Sequence, residues 1–433
     1  MRVLYIAHRI PYPPNKGDKL RSFHQIKVLS ERHDIWCAAF ADDPADQVYA
    51  ALLHRWCRDV CVLPLSRTRA TLRGLFNLLR GGTITEAFYR DPRMTRRLAL
   101  WAKAVPFDVV LVFSSGVACY AAPLSAGVKV LDFCDLDSQK WLSYAKRKRF
   151  PVSWLYRTEG RRLALRERDW LDEFDNTALI SITEKADLVR DAGSTVADDS
   201  EPERAAGLSQ RGHLRCDSPP SSRVTVIGNG VVLPSAREVP APDSKIVGFV
   251  GAMDYAPNID AVNWFANAIW PAIRTEHPGA RFQIVGRNPT RAVRRLAKRA
   301  DVEVVGEVPH VIDTLKAWQV SVAPMRMGRG IQNKVLEAMA AARPVVLTSQ
   351  AAAGLSQRDR EHLVIADTGE EIAGAVNRLL SNVALCRRLG RDSRRIVAGE
   401  HSWAREVAKL EALFTPEQPR LQLAWAEHGA TGS

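Results

Sequence analysis

The stretch Val320 to Thr348, VSVAPMRMGRGIQNKVLEAMAAARPVVLT, constrains the fold more than any other part of the chain. It opens on Val320-Ser321-Val322-Ala323, a short run of the kind a buried parallel strand shows. A loop from Pro324 to Gly330 follows, with Gly328 and Gly330 on either side of Arg329. Asn333 to Ala342 is a block of helix formers that stops before Pro344, and Val345 to Leu347 is β-rich. Strand, glycine loop, helix and strand make one βαβ unit whose glycine turn is aimed at a helix N-terminus. Free amides at such an end accept an anion such as a diphosphate. Arg329 and Lys334 bring positive charge to the same place, whereas Glu337, one turn further in, suits ribose hydroxyls. On the residues alone, a plain turn followed by a solvated helix stays open as the other reading.

A chain of 433 residues is long enough for two domains with sizeable cores. No apolar run approaches the ~18 residues that span a bilayer, and the start, MRVLYIAHRIP, lacks the pattern of an export signal. Seven scattered cysteines point to reduced thiols and a cytoplasmic setting. Cys57 and Cys61 share a helical spacing but have no further ligands nearby, so they read as core thiols rather than a zinc site. The net charge of +13 comes from dispersed basic residues without a nucleic-acid module, so no specific nucleic acid is expected as a partner. Such a charge also suits an anionic lipid surface.

Met1 leads directly into a strand, Val3 to Ala7, then a Pro/Gly loop and a helix with Asp18 as its N-cap. Further strands are expected at Val60 to Leu63, Phe107 to Phe113, Val128 to Phe133, Ala178 to Ser181 and Val224 to Ile227. Asp135 and Asp137 follow the strand at Val128 to Phe133. Carboxylates there point into the crevice where α/β sheets bind ligands, and one of them, Asp137 first, is also a candidate cap for the next helix. Two stretches, Arg67 to Arg80 and Lys146 to Arg168, mix basic and apolar residues as a membrane-surface helix does, and as a helix packed on its own domain also does. Residues 193–222 are short of apolar residues and read as a mobile loop. A second strand series begins at Lys245 to Gly251 and continues through Arg281 to Gly286 and Val302 to Val305. The expected organisation is a first Rossmann-like domain over 1–228, a second over 229–400, a returning helix over 401–414 and a tail over 415–433.

LEAMAAARPVV resembles the signature of the retaining GT-B glycosyltransferases of family 4. The longer strings GRGIQNKVLEAMA, GAMDYAPNIDAVNWF and DFCDLDSQKW resemble a narrower branch, the bacterial sugar transferases of exopolysaccharide and exosortase (PEP-CTERM) systems. The resemblance implies an α/β chain of GT-B architecture, two Rossmann-like domains facing each other across a cleft. It implies transfer of a sugar from a nucleotide-diphosphate donor to a hydroxyl of a lipid-linked saccharide, retaining and without a metal or cofactor. Glu337 matches the family's ribose-binding Glu, but the motif's first Glu, separated from it by seven residues, falls on Arg329. The wider family's Arg after the first glycine of the second domain is also missing, because Met253 and Asp254 stand there after Gly251. Arg329 and Lys334 are the substitutes expected to hold the diphosphate. By the same resemblance Gly251, Gly286, Val308, Pro309, Gly328 and Gly330 contact the donor, and Lys16, Gly17, Asp18 and Arg21 line the acceptor and phosphate side. Asp135 and Asp137 are expected to orient or deprotonate the acceptor. Gly228 falls at the interdomain hinge, where Pro is usual, and is expected to loosen it. Two other classes stay open on the sequence: a nucleotide-sugar epimerase or hydrolase, and a basic non-catalytic scaffold.

Overall fold

The computed structural model describes residues 1–146, 148–193, 223–234, 244–327 and 332–415. The expected loop 193–222 and tail 415–433 lie almost wholly outside these residues, as do Gly328, Arg329 and Gly330.

The apolar runs become parallel strands. In the first domain β1 (Arg2–Ala7), β2 (Asp34–Ala41), β3 (Asp59–Pro64), β4 (Val109–Phe113), β5 (Val128–Cys134), β6 (Asn176–Leu179) and β7 (Val224–Val226) pair in the order β3-β2-β1-β4-β5-β6-β7. In the second, β8 (Ile246–Val250), β9 (Arg281–Val285), β10 (Val302–Gly306), β11 (Val320–Ala323), β12 (Val345–Leu347) and β13 (Val364–Ile365) pair as β10-β9-β8-β11-β12-β13. Every pairing is parallel. Each order grows outward from a centre, so the chain leaves β1 and β4, or β8 and β11, in opposite directions. A crevice opens at that switch point, at the C-terminal strand ends.

Helices cover both faces, which is why the strands read as continuous apolar runs. In β1, Val3, Tyr5 and Ala7 pack with Ile26, Leu29 and Leu410 on one face, while Leu4 and Ile6 pack with Leu98, Trp101 and Trp170 on the other. The second domain has one continuous core, from Val247 through Val397.

The last described helix returns to the first domain. Ser402 caps helix Trp403–Ala412 by accepting from the Arg405 amide, and Val407, Leu410 and Phe414 enter the first domain's core. Trp403 stacks on His24 at 4.5 Å. The hinge is tied rather than loose at Gly228. Its amide donates to Glu406 Oε2 at 2.7 Å, and its carbonyl accepts from Arg21 Nη1 at 2.7 Å.

Candidate active site

The two sets of strand ends enclose one cleft of about 1840 Å³, lined from both domains. On its second-domain wall the βα unit read from the sequence is present, with β11 leading to helix Asn333–Ala340. Lys334 and Glu337 both line the cleft, half-buried and one turn apart. Burial pulls the Lys334 ammonium down to about 8 and pushes the Glu337 carboxyl up to about 7, each opposed by the other's charge. Lys334 Nζ donates to Asn258 Oδ1 at 2.7 Å and lies 4.8 Å from the centre of the Phe249 ring. Asn258 is itself fixed by donating to the Ala252 carbonyl at 3.0 Å. Gly251 permits this, because a Cβ there would stand 2.6 Å from Asn258 Nδ2.

Gly286 has the same logic in a stricter form. Its φ is +151°, and a Cβ would come within 1.7 Å of the Gly251 carbonyl oxygen. The loops after β8 and β9 therefore lie against each other, joined by Met253 N donating to Arg287 O at 2.9 Å. Val308 and Pro309, after β10, line the same wall.

On the first-domain wall, Lys16, Gly17 and Asp18 line the cleft. Asp18 is not a cap: helix Gly17–Leu29 has Lys16 at its N-cap, with no side-chain cap bond. Its carboxylate instead takes Arg9 Nη1 at 2.5 Å and stands 3.2 Å from His8 Nε2. Burial opposes its ionisation, but the His8 hydrogen bond and the charge and hydrogen bond of Arg9 prevail and hold it well below the usual carboxylate range. Arg21 does not line the cleft. It is fully buried on the inner face of its helix, where Nε donates to Asp132 Oδ2 at 2.9 Å and Nη1 reaches Asn229 Oδ1 at 3.2 Å. Asn229 in turn donates to Asn333 Oδ1 at 2.6 Å, so this network links the first domain to the start of the second domain's cleft helix.

Asp135 and Asp137 both face the cleft after β5. The surrounding walls, together with Asp137, raise the Asp135 carboxyl above its ordinary value against the pull of Lys140. Asp137 does not cap its helix, Asp137–Ala145, although it opens it. Glu167, from the long helix Val152–Glu173, accepts the Ser138 amide at 3.0 Å, and Glu184 accepts the Leu136 amide at 3.4 Å. That frees Asp137 to accept from Ser115 Oγ at 2.8 Å and to pair with Lys140 at 3.7 Å. Tyr255 reaches over from the second domain beside Tyr144, Lys140 and Asp135.

Sequence reasoning missed Asn258, Lys140, Tyr255 and Arg287, all on the cleft wall. Asn258 and Tyr255 lay inside the recognised GAMDYAPNIDAVNWF string and Lys140 inside DFCDLDSQKW, whereas Arg287 carried no signal beyond its place after Gly286. Among the described residues no group of His, Cys, Asp or Glu is arranged to hold a metal ion.

The arrangement is the GT-B fold, and solved structures bear this out. Anabaena HepE in complex with UDP and glucose superposes with a TM-score of 0.63 at 12% identity, covering 95% of this chain and 98% of that one. Staphylococcus aureus TarM, solved with fondaparinux, α-GlcNAc-glycerol and UDP, gives 0.62 at 10% identity over 96% and 99%. WaaG, a glycosyltransferase involved in lipopolysaccharide biosynthesis, gives 0.59 at 14% identity over 94% and 99%. In sequence, residues 244–382 match the family model described as glycosyl transferases group 1. The family match lies within the second domain, and the structural matches show the GT-B fold. A comparison with curated protein sequences finds no match.

Proposed function

We propose that the protein transfers a sugar, with retention, from a nucleoside-diphosphate donor on its second domain to a hydroxyl of a lipid-linked saccharide on its first, as in the assembly of a bacterial exopolysaccharide. The observation that carries this reading is the Lys334–Glu337 pair at the mouth of the β11 unit, facing Asp135 and Asp137 across one cleft. Glu337 accepts from the ribose hydroxyls, and Lys334 with its helix N-terminus meets the diphosphate. As the bond from the anomeric carbon to the β-phosphate oxygen breaks, the acceptor oxygen bonds to that carbon. The acceptor proton passes to Asp135, whose raised affinity for protons suits a general base. The leaving diphosphate takes the electron pair, stabilised by charges already in place. That HepE and TarM are solved with UDP supports a nucleotide donor.

Helix Arg67–Leu79 supports the lipid part of the reading. It buries Ala70, Gly74 and Leu78 and turns Thr71 and Leu75 to the cleft, leaving Leu72, Phe76 and Leu79 exposed to solvent on a third face. Phe150 and Trp154, at the start of the long helix, are also exposed, among exposed Lys146, Lys148, Arg149 and Arg157. Leu155 and Tyr156 continue from there into the cleft. Apolar side chains ringed by cations match an anionic bilayer, which would bring a lipid-anchored acceptor to the cleft mouth. Among the described residues no helix is long and apolar enough to cross a membrane.

A thermal-shift screen against nucleoside diphosphates and nucleotide sugars tests the reading, since a specific ligand stabilises the folded state. Stabilisation by one nucleotide series, followed by glycoside formation, is expected. Donor turnover without a glycoside product would favour a hydrolase or epimerase instead.

A further inference from the structure

The second domain carries a cation that neither the motif nor the ribose contact accounts for. Arg287 follows Gly286 on the cleft wall, and the close approach of Gly286 to Gly251 presses its loop against the one where the wider family's arginine is missing. Asn288 Nδ2 donating to Asp254 Oδ2 at 3.0 Å, and the Met253 amide on the Arg287 carbonyl, fasten the two loops together. Among the described residues the Arg287 side chain makes no hydrogen bond or ion pair, and its Nε is shut off from solvent without a partner. A guanidinium has no acceptor capacity and stays charged, so a half-buried, unpaired one calls for an anion.

Lys16 stands opposite, on the first domain. It too makes no hydrogen bond or ion pair among the described residues and lines the same cleft. Burial, and the repulsion of Arg9 and Arg287, lower its affinity for a proton, while Asp42 and Asp18 act the other way. Those carboxylates already have partners: Asp18 holds Arg9, and Asp42 holds Arg9 Nε at 3.0 Å and Arg67 Nη2 at 2.8 Å. Two unpaired cations from different domains therefore repel each other across an open cleft.

We propose that Arg287, with Lys16 opposite it, clamps the diphosphate of the donor. The assignment rests on the donor reading above. A diphosphate between the two side chains turns their repulsion into two charge-assisted contacts, one to each domain, and ties donor binding to closure of the cleft.

Calorimetric titrations with UDP, GDP, ADP and dTDP, each paired with its nucleoside, test it. In the wild-type protein the preferred diphosphate should bind more tightly than its nucleoside. Arg287→Ala should weaken the diphosphate by about ten- to a hundredfold and leave the nucleoside unchanged, with Arg287→Lys in between. Lys16→Ala should behave alike, and the double variant should lose less than the product of the single losses. Glu337→Gln separates the two claims, because it should weaken nucleoside and diphosphate together. Unchanged diphosphate affinity in Arg287→Ala, with Glu337→Gln weakened, would overturn the clamp alone. Failure of all four nucleotides to bind the wild type would overturn the donor reading and the clamp with it.

Discussion

The two walls of the cleft treat charge in opposite ways. On the first domain most cations lining the cleft are already matched: Arg9 by Asp18 and Asp42, Arg67 by Asp42 and Lys140 by Asp137. On the second, Lys334 rests on an amide oxygen and an aromatic face, with Glu337 as its nearest opposing charge, and Arg287 has no partner among the described residues. A wall whose charges satisfy one another is a scaffold, and a wall whose charges do not is built for a charged ligand. The proposed function puts the donor on the second domain, where the charges stand open, and leaves Asp135 and Asp137 on the first for the acceptor. Lys16 is the exception, and it faces Arg287.

The largest effect should come from the first wall. Asp135→Asn should slow sugar transfer by about 10²–10⁴-fold, the range of a lost general base, while donor affinity stays as in the wild type. Single-turnover kinetics beside a donor titration checks both halves, and a matching loss of donor affinity would erase the division between the walls.

Arg21→Ala probes the packing behind that wall. It strands the Asp132 carboxylate in the core, a loss of about 3–5 kcal/mol for breaking a buried pair. Urea unfolding should register it. Destabilisation well below that, together with lost donor binding, would return Arg21 to the ligand.

A smaller effect should appear in pH dependence. An ionised Glu337 can accept from both ribose hydroxyls, whereas protonation turns one of its oxygens into a donor, so donor capture should fall as pH drops through about 7. Lys334 loses its charge as pH rises through about 8, which sets the other limb. The profile of kcat/KM against pH should be a narrow bell, and Glu337→Gln should flatten its acid side. An acid limb unchanged in that variant would belong to another group.

The smallest effect should lie outside the cleft. Replacing Leu72 and Phe76 with serine should reduce sedimentation with anionic vesicles, with transfer to a water-soluble acceptor unaltered. Undiminished vesicle binding at low salt would remove the lipid surface from that face.

The sheets were legible because a strand buried on both faces is an unbroken apolar run, as in FDVVLVF, and the cleft helix because its motif is specific. What failed was the direction of single side chains. Arg21 follows a glycine loop as a ligand-binding residue would, but its place on the inner face of a helix is set by Asp132, distant in sequence. Asp137 looked like a cap because caps are local, whereas Glu167 supplies the cap from another helix. Glu159, within the stretch read for its positive charge, likewise accepts the Ile84 and Thr85 amides at 2.6 and 2.9 Å. Arg287 was one basic residue among 61, and only the meeting of two glycine loops singles it out.

The division of labour between the walls is tested most directly by titrating one nucleoside diphosphate, whichever of UDP, GDP, ADP and dTDP stabilises the protein most, into Glu337→Gln and Asp135→Asn. The account predicts a loss of about tenfold or more for Glu337→Gln and wild-type affinity for Asp135→Asn. Wild-type affinity in Glu337→Gln with a loss in Asp135→Asn would place the donor on the first domain and contradict it.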